Sequence, residues 1–183
     1  MAEIFLALVH HPVVDRNGRI ITSAITSLDL HDLARSSRTY GVRAFYVVHP
    51  VPEQREFARS VLDHWRIGYG RSFDSRRVEA LDLIEVVAGL DEAVAAAERA
   101  AGRRPEIVHT SAREAQGMSF AAMRERMAAA DAAPVLILLG TGFGVATLSL
   151  SAYDRVRPAR QGSPPAQAEP QPQASTISSP LSS

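Results

Sequence analysis

Cysteine is absent from the sequence, so disulfide frameworks, cysteine zinc sites and thiol catalysis are excluded. Lysine is absent as well: all 20 basic residues are arginine. A drift toward GC-rich codons accounts for this without any functional cause. Whatever its origin, it removes Schiff-base chemistry, a lysine general base and a lysine-type phosphate loop. Net charge is zero, with 20 acidic residues against the 20 arginines, so no global field draws the chain onto nucleic acid or an anionic membrane. Any such binding has to come from a local patch. No apolar run approaches the ~18 residues of a membrane span. Met1 leads into an apolar segment with neither a basic n-region nor a small-residue cleavage site. The expectation is a soluble, cytoplasmic protein with no membrane partner.

What is present is an ordinary globular composition, 46% hydrophobic and 22% charged, which argues against a wholly disordered or fibrous chain. It is unevenly spread. Residues 161–183 hold a single charged residue, Glu169, and no aromatic, among prolines, serines and glutamines. Such a segment buries too little apolar surface to offset its ordering entropy. The expected organisation is one domain over residues 1–160 and a disordered Pro/Ser/Gln-rich tail over 161–183.

Along the domain, short runs that are apolar throughout alternate with helical periods. Ile4 to Val9, Ala44 to Val48, Asp82 to Val87, Ile107-Val108 and Pro134 to Leu139 read as strands. Helices are expected from a Ser27 cap to Tyr40 with Gly41 as the stop, over Glu53 to Arg66, over Leu90 to Ala101 and over Phe120 to Asp131. Asp15-Arg-Asn-Gly18 reads as a turn before the apolar pair Ile20 and Ile21. Strands apolar on both faces that alternate with helices predict an α/β fold, a mostly parallel sheet with helices on both faces. In such sheets ligands sit at the carboxyl ends of strands, which places His109 to Ala112 and Gly140 to Gly144 where a ligand would be.

Three constellations could carry chemistry. Gly140-Thr-Gly-Phe-Gly144 follows the most apolar strand, and glycine permits positive φ and close approach of a ligand. The G-x-G-x-G spacing with no acidic residue about 20 positions on argues against a dinucleotide site; the plain alternative is a tight strand-to-helix turn. Asp29, Asp32 and Arg35 fall at i, i+3 spacing on one helix, where carboxylate and guanidinium can pair, or simply solvate a face. Trp65 to Arg77 interleaves Arg66, Arg71, Arg76 and Arg77 with Trp65, Tyr69 and Phe73. Arginines fork onto phosphates and aromatics stack on unpaired bases; alternatively the aromatics anchor a core and the arginines solvate a loop. With Arg38 these arginines form the candidate RNA-binding set. His10, His11 and His31 offer neither an H-x-x-x-H nor an H-E-x-x-H spacing, so no metal is assigned.

Taken together, Leu8-Val-His-His-Pro12 with its Asp15-to-Gly18 turn, Thr26 to Gly41, Trp65 to Arg77, His109-Thr-Ser-Ala112 and Pro134 to Gly144 resemble, in order, a bacterial family of S-adenosylmethionine-dependent RNA methyltransferases in the SPOUT, or trefoil-knot, superfamily. The resemblance covers about residues 3 to 145. It implies a knotted parallel sheet, S-adenosylmethionine as cofactor, a tRNA or rRNA substrate and a homodimer. It also implies that backbone groups of His109, Thr110, Ser111, Ala112, Gly140, Thr141, Gly142, Phe143 and Gly144 hold the cofactor. Arg35 matches an arginine that a related branch uses near the target nucleotide. Arginine is a poor base, so the resemblance gives Arg35 an orienting or oxyanion-stabilising role, and Asp29 or Asp32 is the better candidate base. The C-terminus departs from the family pattern. The family continues into a polar Asn-His-Leu-Ser-Val-Arg-like motif and an amphipathic helix, which Gln161 to Ser183 lacks. On that account the expectation is an incomplete knot, and the reading of a different class is a catalytically inactive RNA-binding or interaction module.

Overall fold

The structure, a computed structural model, describes residues 1–68, 70–111, 117–146 and 156–160. Six strands form one sheet: β1 (Ile4–Val9), β4 (Ala44–Val48), β5 (Ile84–Val87), β6 (Glu106–Ser111), β7 (Val135–Gly140) and β8 (Val156–Arg160). Their order is β5-β4-β1-β7-β6-β8, and every pairing is parallel. Two short strands, β2 (Val13–Val14) and β3 (Ile20–Ile21), pair antiparallel outside it. The helices are α1 (Ser27–Thr39), α2 (Pro52–Arg66), α3 (Gly70–Phe73), α4 (Ser75–Leu81), α5 (Leu90–Ala101) and α6 (Phe120–Ala128). The expected α/β architecture is therefore the observed one. The tail at 161–183 and the segment 147–155, on which any knot would depend, lie outside the described residues.

Strand alternation divides the sheet between two cores. Phe5, Ala7 and Val9 of β1 join Ala44, Tyr46 and Val48 of β4 and Leu136 and Leu138 of β7 beneath α5. That helix meets the sheet through Ala93, Ala96 and Ala97, whose small side chains let it approach closely. On the other face Leu6, Leu8, Phe45 and Val47 pack against Leu30 and Ala34 of α1 and Leu62 of α2. Met123 of α6 covers Val108 and Val135. Burying a side chain such as Leu30 or Phe45 stabilises the fold by about 1.5–3 kcal/mol.

The edge strand β5 is shielded by arginines. Arg59 and Arg66 of α2 donate to the outward carbonyls of Val86 (3.4 Å) and Ile84 (2.9 Å), groups that would otherwise invite another strand. At the start of α1 the cap is Thr26, one residue earlier than the sequence suggests. Its hydroxyl accepts the Asp29 N–H while the Asp29 carboxylate accepts the Thr26 N–H, a reciprocal arrangement that Ser27 could not make with the same partner. Asp82 likewise belongs to the end of α4 as its cap, so β5 begins only at Ile84.

The chain runs outward from β1 through β4 to β5, then crosses over to lay down β6 and insert β7 beside β1. This reversal falls between β1 and β7, and the carboxyl ends of strands at such a point are the general ligand position of these sheets.

Candidate active site

The loop Gly140 to Gly144 leaves β7 at this reversal. Gly140 is required by packing: a Cβ there would lie 2.6 Å from the Gly144 carbonyl carbon and closer still to the Val145 nitrogen, both backbone atoms that cannot give way. Gly142 adopts φ +62°, a conformation that disfavours other residues. Most amides in the turn are already committed. Thr141 N–H donates to Val9 O (3.2 Å), Phe143 N–H to Val14 O (3.0 Å) and Gly144 N–H to Thr141 O (3.1 Å). Among the described residues the Gly142 amide has no such partner, and Gly142 is exposed.

On one side lies the end of β6. His109, Thr110 and Ser111 form the last three residues of that strand and not a loop, because pairing with β7 (His109 opposite Leu138) and with β8 (Thr110 opposite Ala159, Ser111 opposite Arg160) extends the ladder on both sides. His109 is buried and the Thr110 hydroxyl donates to Leu138 O (3.3 Å). The two strand ends singled out for the cofactor are thus neighbours. Ala112 lies outside the described residues.

On the other side is a polar cluster whose members lie scattered along the sequence. His10, buried after β1, contacts the Ser23 hydroxyl through Nδ1 at 3.0 Å, and that hydroxyl contacts the Thr141 hydroxyl of the glycine loop. The Thr141 hydroxyl lies 3.3 Å from Val9 O and the Ser23 hydroxyl 3.5 Å from His10 O, so each hydroxyl has a carbonyl acceptor within reach. His10 Nε2 is buried without a hydrogen-bond partner among the described residues. Burial, with the neighbouring His49 ring, pushes His10 down to about 4. His49, buried after β4, donates from Nε2 to Ser23 O (2.9 Å) and accepts the Val51 N–H at Nδ1 (3.1 Å), which fixes it as neutral; burial holds its pKa below the usual value.

The acidic and basic groups of α1 divide their work. Asp29 is committed to the cap, its Oδ2 accepting from Thr26 N (3.2 Å) and Oγ1 (2.6 Å). Asp32 and Arg35 are exposed and 3.9 Å apart, a loose pair that a substrate can separate. Of the candidate RNA set, Arg38 pairs with Glu79. Arg66 donates to Leu81 O, Ile84 O and Asp82. Arg77 lies 4.6 Å over the Trp65 ring and 3.8 Å from Asp74. Arg76 is exposed on α4 and Arg71 sits on α3; Tyr69 lies outside the described residues. Among the described residues no group of three histidine, aspartate or glutamate side chains could hold a metal, and no helix is long and apolar enough to cross a membrane.

A family profile described as SAM-dependent RNA methyltransferase matches residues 3–162. Over 159 residues the chain is 36% identical to a protein of Oleidesulfovibrio alaskensis and 38% identical to one of Nitratidesulfovibrio vulgaris, both named tRNA (guanine-N(1)-)-methyltransferase. Each match takes in 86% of this chain but 37% of the relative, so the chain spans little more than a third of their length. An uncharacterized protein of Aquifex aeolicus is 32% identical over 155 residues, 84% of this chain and 75% of that one. In fold, the chain is similar to a solved structure of a probable methyltransferase from Bordetella pertussis, with TM-score 0.52 and 15% identity over 89% of this chain and 81% of that one. The match along nearly the whole described chain places this protein in the family of SAM-dependent RNA methyltransferases.

Proposed function

We propose that the surface beside Gly142, at the carboxyl ends of β6 and β7, holds S-adenosylmethionine and that α1 presents the target nucleotide of a tRNA or rRNA to it. The observation that carries this reading is the adjacency of the His109–Ser111 strand end to the Gly140–Gly144 loop at the topological reversal. The cofactor supplies a sulfonium methyl that is already a strong electrophile, so the protein's task is alignment and proton handling. The Gly142 amide and the backbone of residues 109–112 and 140–144 orient the cofactor. Arg35 orients a phosphate or stabilises developing negative charge, as a group that stays protonated does. Asp32 is the better placed proton acceptor, because the Asp29 carboxylate is occupied by Thr26. The relatives' name supports tRNA as the substrate, although that name belongs to proteins more than twice as long.

Within this reading the protein is cytoplasmic, residues 1–160 form the catalytic domain, and two copies associate. A groove of about 560 Å³ lined by Val108, Phe120, Met123, Met127 and Ile137, with Phe120 56% exposed, supports a homodimer. The test is methyl transfer from radiolabelled S-adenosylmethionine to bulk bacterial tRNA and rRNA. Arg35→Ala and Asp32→Asn are each expected to lower turnover by about 10²-fold with cofactor affinity unchanged. Cofactor binding without transfer to either RNA would instead favour the inactive binding module.

A further inference from the structure

Residues 13–21 form an arm that none of the assignments above uses. Val13–Val14 and Ile20–Ile21 pair around a tight turn at Asp15 to Arg19. Asp15 is spent inside that turn: its Oδ1 accepts from Asn17 N (2.7 Å) and Arg19 N (2.9 Å), its N–H donates to Arg19 O and its carbonyl accepts from Gly18. The turn therefore holds its own carboxylate against the backbone. Arg16 and Arg19 are exposed, and neither guanidinium has an ion-pair or hydrogen-bond partner among the described residues. Ile20 and Ile21 are 54% and 38% exposed beside them.

The arm is bonded directly to the glycine loop. Phe143 N–H donates to Val14 O (3.0 Å), Val14 N–H to Gly144 O (2.9 Å) and Ala146 N–H to Pro12 O (3.0 Å), with Val13 opposite Val145. At its base, Ser23 joins His10 on one side and Thr141 on the other. Two unpaired cations are thus mounted on a backbone ribbon whose other half is the loop assigned to the cofactor.

We infer that this arm is a phosphate-gripping surface for the RNA substrate, with Arg16 and Arg19 contacting the phosphodiester backbone and Ile20 and Ile21 flanking the sugars. The inference rests on the RNA-methyltransferase reading and deepens it. Guanidinium groups bind phosphate through paired N–H donors, and a cation with no intramolecular partner surrenders nothing when it does so. The neutral chain needs such a local patch, and this one is bonded to the loop of the proposed methyl-transfer site.

The test uses the full chain with fluorescently labelled bulk bacterial tRNA and, separately, rRNA, titrated by anisotropy over a range of salt concentrations. The double variant Arg16→Ala/Arg19→Ala is expected to bind roughly tenfold more weakly, with the slope of log affinity against log salt flatter by about 1.5. Arg16→Glu/Arg19→Glu is expected to weaken binding further. Calorimetry with S-adenosylmethionine should give wild-type affinity for both variants, which reports that they are folded. Wild-type RNA affinity and salt slope in both variants, alongside RNA methylation by the wild type, would overturn the arm and leave the enzymatic reading standing. Absence of RNA binding and methylation in the wild-type protein itself would overturn both.

Discussion

Between Trp65 and Arg77 the guanidinium groups of Arg66 and Arg77 serve the protein's own framework, whereas those of Arg16 and Arg19 on the β2–β3 arm have no partner among the described residues. Arg66 closes the turn after α4 and the edge of β5 by donating to Leu81 O and Ile84 O at 2.9 Å each. Arg77 stacks on Trp65, whose edges are met by His31 and His64, and Gly70 lies so close that a Cβ would fall 2.6 Å from the indole. The arm has fewer arginines and no aromatic, yet Arg16 and Arg19 keep their full hydrogen-bonding capacity. Density of positive charge along a sequence thus counts less than whether folding has already used it. Arg76, exposed on α4, remains open to RNA under the proposed function.

That contrast can be broken most forcefully at Arg66. Arg66→Ala strands two carbonyls and the Asp82 carboxylate, and is expected to destabilise the fold by about 2–3 kcal/mol, a fall in Tm of roughly 5–10 °C. At temperatures where it remains folded, RNA affinity should stay near wild type. A variant with unchanged Tm and weakened RNA binding would return Arg66 to the binding surface.

Acid should act next, at the base of the arm. Unfolding restores His10 from about 4 to its ordinary value near 6.5, so between these values the unfolded chain binds more protons. Stability is complete above about pH 6.5 and falls as pH drops toward 4, by on the order of 2 kcal/mol. His49 and His31, also depressed by burial, add to the same slope. Denaturation midpoints measured against pH should flatten in His10→Asn; a slope equal to that of the wild type would deny His10 this part.

The smallest effect is expected from Ser23→Ala, which removes the hydroxyl joining His10 to Thr141 and costs about 1 kcal/mol. Amide hydrogen exchange should quicken at Val14 and Phe143 while α2 and α4 are unaffected. Equal acceleration in both places would show that the arm and the glycine loop are not joined through this contact.

Most of the framework was legible because the strands carry the signal in themselves. Ile4 to Val9 and Val135 to Gly140 are apolar on both faces, and only a strand covered on both sides uses such a run. The ladder that carries β6 on through Ser111 was not legible, since it depends on β8, a strand containing Pro158 that meets β6 from 45 or more residues away. The pairing of Val13 with Val145 has no local signal at all, because partners 132 positions apart leave no periodicity to read. A separation of 118 positions likewise hid the contact of Ser23 with Thr141. The candidate site was thus readable as glycines and strand ends, while the arm beside it emerged only when folding brought the two halves of the ribbon together.

The central claim is that the cofactor sits at the ends of β7 and β6, beside the arm. Amide NMR spectra of the labelled protein, titrated with S-adenosylmethionine, test it most directly. Saturable shifts in the micromolar range at Gly142, Thr110 and Ser111, with smaller ones at Val14, are predicted. An unchanged spectrum at millimolar cofactor, or shifts confined to the surroundings of Trp65, would contradict the account.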